Sequence, residues 1–278
     1  MESRVKERLI RMPVMGRILL FGYRTQLAFR AALTPVLPAL RWLFVSRETT
    51  NFTYDLEKKN KRYLATMITD IFDIPYDRVM SYFGELEEDE ELQQHILETT
   101  AKSDQASRAD SAVRYSRRIG WYAVVRAMKP TVVVETGVDK GMGACVLTAA
   151  LRRNSSEGAA GRYYGTEINP RAGYLLTGKY AQCGEILYGD SIESLQVLDE
   201  QIDLFISDSD HSDEYEAREY ETIEAKLSNR AVILSDNAHI SSRLMDFSLQ
   251  RNRCFLFFKE EPVNHWYPGA GIGFSFVR

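Results

Sequence analysis

Short β-rich runs alternate with segments of helical pattern from Pro130 onward, and this alternation limits the fold more than any other feature of the chain. A helical pattern follows each of five runs, which span residues 131–136, 163–168, 185–188, 203–208 and 231–236. Strands that are joined through helices lie parallel, because the helix carries the chain back across the sheet before the next strand begins. The sequence therefore predicts an α/β fold with a mainly parallel sheet and helices on both faces.

Two further β-rich runs, residues 254–258 and 272–277, end the chain. The loop between them shows no helical pattern, so these two strands are expected to pair antiparallel. The helix after the second run is expected to start at Pro170. The complete pattern predicts a Rossmann-like sheet of seven strands with an antiparallel C-terminal strand.

Three parts are expected along the chain. Residues 1–48 form a basic amphipathic N-terminal arm, and residues 49–111 form a helical segment followed by a small, polar linker or mobile lid. Residues 112–278 form the α/β domain. The length of 278 residues suffices for one large domain with such an appendage.

Basic and bulky apolar residues are interleaved in the arm, where acidic residues are nearly absent. The basic residues are Arg4, Lys6, Arg8, Arg11, Arg17, Arg24, Arg30, Arg41 and Arg47. The best apolar run, residues 27–45, is interrupted by Arg30, Pro35, Pro38 and Arg41, so no membrane-spanning helix is expected. The arm is interpreted as a helix docked on the protein or on a second subunit of a homo-oligomer, as a peripheral contact with an anionic membrane surface, or as a targeting peptide.

Charge and cysteine content exclude several classes of protein. The formal net charge of -4 argues against nucleic acid as a partner, because nucleic-acid-binding domains are strongly basic. The three cysteines are widely separated, which suggests neither a disulfide framework nor a thiolate zinc site. We therefore expect a cytoplasmic protein, peripheral at the inner face of the membrane if the arm binds lipid.

A strand, a glycine turn and a helix follow one another around residues 133–151. Gly137 and Gly141 allow the backbone to turn tightly and to approach a ligand without a Cβ in the way. The turn reads E-T-G-V-D-K-G instead of G-x-G-x-x-G, so it lacks the close glycine pair that admits the pyrophosphate of NAD. A small-molecule cofactor without phosphates is the expected ligand.

Polar residues end each predicted parallel strand, where ligands bind in open α/β sheets. They include Glu135, Glu167, Asp190, Ser191, Asp208, Asp236 and Asn237. Glu167 suits a carboxylate that accepts hydrogen bonds from two ribose hydroxyls, and the acidic rim favours a sulfonium cation over a pyrophosphate. Taken singly, Asp190 or Ser191 could equally cap the helix that follows.

These motifs resemble the class I S-adenosylmethionine-dependent methyltransferases over about residues 115–278. The closest pattern is that of the metal-dependent O-methyltransferases, which include the catechol, caffeoyl-coenzyme A and macrolide-sugar enzymes. The resemblance implies that Asp208, Asp236 and Asn237 bind Mg²⁺. For the cofactor it implies that Gly137, Gly141 and Glu135 surround the methionine part, that Glu167 binds the ribose, that Asp190 and Ser191 lie near the adenine, and that Asp208 lines the same pocket.

The family often carries a lysine as the base three residues after its first metal-binding aspartate, whereas this chain has His211 there. A neutral imidazole can remove a hydroxyl proton, so His211 is the expected catalytic base. A metal-adjacent or structural role for His211 stays open, and His239 is a weaker candidate. Residues 114–122, rich in arginine and aromatic side chains, either pack as an ordinary amphipathic helix or contact an anionic or sugar-like acceptor.

The resemblance implies Mg²⁺-dependent methyl transfer from S-adenosylmethionine to a hydroxyl on a small molecule or glycan. Two alternatives are retained. The first is a metal-independent methyltransferase in which Asp208 and Asp236 only line the cofactor pocket. The second is a catalytically inactive, membrane-associated protein that keeps the cofactor-binding fold.

Overall fold

A computed structural model describes residues 13–278 of the chain. The first four basic residues of the predicted arm, Arg4, Lys6, Arg8 and Arg11, lie outside the described residues. The chain divides into two compact units. The first consists of Met1–Arg47 and Asn264–Tyr267, and the second of Glu48–Val263 and Pro268–Arg278.

The described part of the first unit contains two helices, α1 (Pro13–Leu33) and α2 (Val36–Val45), and most of their large apolar side chains are exposed. The rings of Trp42 and Trp266 meet edge to face, with centroids 5.3 Å apart. By length and composition, Val14–Val45 qualifies as a candidate membrane span. Its length and composition therefore allow this segment to span a membrane, although the interruptions in residues 27–45 had argued against a membrane-spanning helix.

The second unit begins with a helical segment, as the sequence predicted. It comprises α3 (Lys58–Phe72), α4 (Tyr76–Glu87) and α5 (Glu90–Ala101). Leu64 and Ile68 on α3 are buried at i,i+4 spacing, so one face of the helix is apolar. The side chain of Asp89 caps α5 by accepting a hydrogen bond from the backbone of Leu92 at 2.9 Å.

Seven strands form one mixed sheet, which confirms the predicted fold class. The strands are β1 (Val132–Thr136), β2 (Arg162–Glu167), β3 (Gly184–Tyr188), β4 (Ile202–Ser207), β5 (Leu227–Ser235), β6 (Cys254–Lys259) and β7 (Gly271–Phe276). Their order is β3-β2-β1-β4-β5-β7-β6. Strands β1 to β5 are parallel, whereas β7 pairs antiparallel with both β5 and β6. This arrangement is the predicted Rossmann-like sheet of seven strands with antiparallel pairing at its C-terminal end.

Five helices precede or connect the strands. They are α6 (Arg118–Met128), α7 (Met142–Ser156), α8 (Ser191–Val197), α9 (Asp213–Ile223) and α10 (Arg243–Gln250). The helix that was expected from Pro170 is not formed, because residues 168–179 adopt turns and only a short 3₁₀ helix, Tyr180–Cys183, follows. Gly173 and Gly178 have φ values of +72° and +57°, which interrupt a right-handed helix.

The central strands are buried along their length, as their β-branched and aromatic residues favour. In register, Val134 lies beside Phe205, and Phe205 lies beside Ile233. The same register places the carboxyl ends of β1, β2, β4 and β5 at one edge of the sheet, where Thr136 neighbours both Thr166 and Ser207. The polar residues that follow these strands are thereby brought together.

Candidate functional site

A cavity of about 450 Å³ lies at this edge of the sheet, within the second unit. Seven of the predicted site residues line it: Glu135, Gly137, Glu167, Asp190, Ser191, Asp208 and His211. Gly141, Asp236 and Asn237 are not among the described residues that line it. The cavity is large enough for a ligand of nucleoside size and opens to solvent on one side.

The glycine turn after β1 depends on two glycines for different reasons. Gly137 has a φ of +80°, and a Cβ at this position would collide with the backbone oxygen of Asp208. The turn can therefore lie directly against the end of β4 only because the residue is glycine. Gly141 has a φ of +94° and immediately precedes α7, so it sets the direction in which that helix leaves the turn.

Glu167 ties the turn to the end of β2. One of its oxygens accepts a hydrogen bond from the backbone N–H of Asp139, and the other accepts one from Asn169, both at 2.9 Å. Asn51 donates to the Asp139 carboxylate at 2.8 Å, which brings a residue from the start of the second unit to the cavity. Each oxygen of Glu167 keeps a further lone pair with which to accept a ligand hydroxyl.

Asp190 and Ser191 form the next part of the wall. Asp190 caps α8 through the backbone N–H groups of Ile192 at 2.9 Å and Glu193 at 3.3 Å. The hydroxyl of Tyr215 donates to the other oxygen of Asp190 at 2.9 Å. The capping interpretation of Asp190 is therefore correct, and the same residue also faces the cavity.

Sequence reasoning missed a buried carboxylate beneath this wall. Glu219 on α9 accepts hydrogen bonds from four hydroxyl groups, those of Thr136, Ser191, Ser207 and Ser209, at 2.6 to 3.0 Å. Burial raises the pKa of Glu219, and the four hydroxyl donors oppose that effect. Glu219 thus joins the ends of β1 and β4 to the start of α8.

The sequence signal that could have identified Glu219 as buried is the helical spacing of the residues around it. Glu216, Glu219, Tyr220 and Ile223 are all buried and follow i, i+3, i+4, i+7 spacing on α9. Glu216 accepts a hydrogen bond at 2.7 Å from Ser235, which ends β5. The acid-rich sequence of α9 resembles a solvated surface helix, and for that reason its two inward-facing carboxylates were not recognised.

Glu135 lies at the methionine end of the predicted cofactor site and is only 1% exposed. Burial raises the pKa of Glu135 to about 8, and the neighbouring charge of Asp208 acts in the same direction. The hydroxyl of Tyr163 donates to Glu135 at 2.6 Å and opposes the rise. A cation bound in the cavity would favour the ionised form of this carboxyl group.

His211 lies on the cavity wall with its Nδ1 atom against Oδ1 of Asn237. Asn237 is fully buried, and its Nδ2 group donates to the backbone oxygen of Asp210 at 3.3 Å. This second contact orients the amide so that its oxygen faces the histidine. In the neutral imidazole this contact favours the tautomer with the proton on Nδ1, in which Nε2 has a lone pair that can accept a proton.

The predicted metal ligands are close together, but an arginine lies between two of them. Nη2 of Arg117 contacts Oδ2 of Asp236 at 2.6 Å, and its Nε atom contacts the other oxygen of Asp236. The same Nη2 atom lies 3.8 Å from Oδ2 of Asp208. The amide oxygen of Asn237 is engaged by His211.

These contacts determine whether Asp208, Asp236 and Asn237 are available to bind Mg²⁺. The guanidinium of Arg117 contacts both oxygens of Asp236, and a divalent cation would have to displace that positive charge from a buried site. The donor set of Asp208, Asp236 and Asn237 does not fit a divalent cation in this arrangement.

The neighbouring Arg118 reaches the cavity itself. It lines the wall, it is only 7% exposed, and its Nε atom has no hydrogen-bond partner among the described residues. Its guanidinium lies 5.5 Å from the centre of the Trp121 ring. Burial lowers the pKa of Arg118, which the negative charges of Asp208 and Glu135 oppose. A ligand with an anionic group would compensate this buried charge.

Residues 134–238 match the model of a family described as a methyltransferase domain. A search of curated proteins finds no match. The matched residues include the glycine turn, the strand ends from β1 to β5 and all the predicted site residues.

Several solved structures resemble the chain. An O-methyltransferase from Bacillus cereus in complex with SAH is 14% identical, with a TM-score of 0.48, and the match covers 69% of this chain and 92% of that one. The SAH-bound methyltransferase PaMTH1 from Podospora anserina is 16% identical, with a TM-score of 0.47 and coverage of 82% and 100%. The O-methyltransferase TomG from Streptomyces achromogenes, in complex with SAM, is 15% identical, with a TM-score of 0.48 and coverage of 68% and 90%.

Proposed function

We propose that the chain carries a methyltransferase domain of the class I fold and that it transfers the methyl group of S-adenosylmethionine to a hydroxyl oxygen. The observation that carries the proposal is that six of the seven cofactor-binding candidates and the candidate base face the same cavity. Its acceptor is a small molecule or a glycan with a free hydroxyl group.

The cofactor is proposed to lie along the carboxyl ends of the strands. The adenine lies near Asp190 and Ser191, the ribose hydroxyls bind Glu167, and the methionine part lies beside Glu135 and the glycine turn. Acidic side chains suit a ligand that carries a sulfonium and an ammonium group, because opposite charges attract. Arg118 provides the complementary positive charge for the carboxylate of the methionine part.

His211 is the proposed general base. In the tautomer that Asn237 favours, Nε2 accepts the proton of the acceptor hydroxyl while the oxygen attacks the methyl carbon in line with the departing sulfur. The sulfur leaves with the electron pair of the broken bond, as S-adenosylhomocysteine, and the proton stays on the imidazole. Asn237 acts as a positioning residue, since it contacts His211 and is itself buried.

The reaction is proposed to proceed without a divalent cation. Mg²⁺ was the expectation from the resemblance, and the contacts of Arg117 with Asp236 and Asp208 favour the metal-independent alternative. In this mechanism the two aspartates shape the site and take no part as metal ligands. His211 and the alignment of the two substrates then supply the catalysis.

A methyl-transfer assay tests this function. Purified protein is incubated with S-adenosylmethionine and a panel of phenols, polyols, sugars and glycans, and formation of S-adenosylhomocysteine is followed with EDTA present. Turnover of a hydroxyl acceptor that EDTA leaves unchanged supports the proposal. Turnover that EDTA abolishes and Mg²⁺ restores would return the account to the metal-dependent mechanism, and cofactor binding without turnover of any acceptor would favour the inactive alternative.

The arm is proposed to hold the protein at the inner face of the cytoplasmic membrane. Arg17, Arg24 and Arg30 lie on α1 among exposed apolar side chains such as Ile18 and Phe21. Such helices bind bilayers that carry anionic lipids. Co-sedimentation of the full chain with anionic but not with neutral vesicles is expected, whereas self-association without vesicle binding would assign the arm to a homo-oligomer interface.

A further inference from the structure

Arg117 is held in place by the segment that precedes α6. Ser116 has a positive φ of +51°, and its backbone N–H donates to the backbone oxygen of Tyr54 at 3.1 Å. The N–H of Tyr54 in turn donates to the Ser116 hydroxyl at 3.0 Å. Two opposed hydrogen bonds thus fix the backbone directly before the arginine.

The side chain of Arg117 has little freedom either. Its guanidinium carbon lies 5.8 Å from the centre of the Trp121 ring, and only 8% of the side chain is exposed. The side chains of Asp208 and Asp236 are 12% and 6% exposed. A buried cation between two buried carboxylates compensates charges that would otherwise be costly to bury.

The arginine also occupies the place of the implied metal. Both oxygens of Asp236 and one oxygen of Asp208 face the guanidinium, and carboxylate oxygens are the ligands that Mg²⁺ and Mn²⁺ prefer. The sequence pattern of the strand ends is therefore that of a metal site, while the cation present belongs to the chain itself. That cation is Arg117, which lies about 90 positions before Asp208 in the sequence and outside the strand ends that carry the pattern.

We propose that Arg117 is the resident cation of this site and replaces a divalent metal by pairing with Asp236 and Asp208. It is a positioning residue: it fixes the two aspartates at the ends of β4 and β5, next to Asn237, which positions His211. The pairing is independent of the methyl acceptor, and only its consequence for catalysis rests on the proposed function. Removal of the guanidinium should convert the pair of aspartates into a metal site.

Titration of Mn²⁺ into the full-length protein tests the proposal. Mn²⁺ is not expected to bind at Asp236 in the wild-type protein. The Asp236→Asn variant should therefore bind Mn²⁺ no more weakly than the wild-type protein does. Arg117→Met should gain a site with a dissociation constant on the order of 10⁻⁴ M, as in weak oxygen-ligand sites, and should melt at a higher temperature when Mn²⁺ is added. The double variant Arg117→Met/Asp236→Asn should lose most of that gain, at least about tenfold in affinity.

Two further variants keep the result decisive. Arg117→Lys keeps the positive charge and should gain no Mn²⁺ site, whereas Arg117→Gln removes the charge with a polar side chain and serves if Arg117→Met does not fold. Binding of Mn²⁺ by the wild-type protein at Asp236 would overturn the proposal, and so would folded Arg117 variants that gain no site. S-adenosylhomocysteine binding is measured on the same samples, so that failure of the cofactor assignment is recognised separately.

Discussion

Nδ1 of His211 lies against Oδ1 of Asn237, the second residue after the end of β5. This contact joins the loop after β4 to the loop after β5 and leaves the other ring nitrogen of His211 without the proton. An asparagine that the resemblance assigned to metal binding thus selects the tautomer of the proposed base. The proposed chemistry of the site depends on this pair and on the neighbouring Arg117.

Replacement of His211 by glutamine should remove the base and leave the cofactor in place. We expect kcat to fall by about 10²-fold to 10⁴-fold, the usual contribution of a general base, while the affinity for S-adenosylhomocysteine stays within about threefold. His239→Gln is the matched control, because His239 bonds the backbone oxygen of Asp236 and is not a cavity-lining residue in the described chain. A kcat unchanged in His211→Gln would remove His211 from the mechanism.

Replacement of Arg118 by methionine should weaken the binding of ligands that carry a carboxylate. A charge-assisted hydrogen bond is worth about 1.5 to 3 kcal/mol, so the affinity for S-adenosylhomocysteine should fall about 10-fold to 100-fold. The affinity for 5′-methylthioadenosine, which lacks the amino-acid part, should stay nearly constant. Calorimetric titration of both ligands measures the difference, and an equal loss for both would show that Arg118 does not bind the carboxylate.

Glu135 gives the protein a defined pH dependence of stability. Its folded pKa of about 8 lies above the ordinary 4.5, so its contribution to the free energy of unfolding is complete below pH 4.5 and is lost as the pH rises through about 8. Over that window the slope attributable to this group is at most about 1.4 kcal/mol per pH unit. Urea unfolding of the unliganded wild-type protein and of Glu135→Gln, between about pH 5 and 9, should show this slope only in the wild type; parallel profiles would contradict the assignment.

The buried carboxylate of Glu219 should be worth more to stability than its exposed neighbour. Glu219→Leu leaves four hydroxyl groups without their shared acceptor, and we expect a loss of about 2 to 4 kcal/mol in the free energy of unfolding. Glu221→Leu, at an exposed position on the same helix, should change it by less than about 0.5 kcal/mol. Urea unfolding measures both, and similar values for the two variants would show that the hydroxyl cluster is not anchored by Glu219.

Much of the fold followed from pattern alone. Five β-rich runs that alternate with helical patterns predicted a parallel sheet, and the last two runs were expected to pair antiparallel because no helical pattern joins them, as β6 and β7 do. The cavity could be foreseen as well, since polar residues such as Glu167 and Asp208 had to meet where parallel strands end. The division at residues 48 and 111 stays a prediction.

The partners of the site residues could not be foreseen in the same way. Arg117 and Arg118 lie at the start of α6, whose residues are almost all buried, and the positive φ of Ser116 directly before them is not apparent from the sequence pattern. The sequence after Pro170 forms no α-helix, and the positive φ values of Gly173 and Gly178 that interrupt it are not determined by composition alone. A motif specifies which side chains meet at a strand end, whereas tertiary packing decides which charge compensates them.

Calorimetric titration of S-adenosylhomocysteine into the full-length protein, first with EDTA and then with Mg²⁺, tests the central claim most directly. We expect one site with a micromolar dissociation constant, the same in EDTA and in Mg²⁺, and no separate heat of Mg²⁺ binding. Absence of cofactor binding would contradict the methyltransferase assignment of the cavity. Binding that EDTA abolishes and Mg²⁺ restores would contradict the role of Arg117 as the cation of the site.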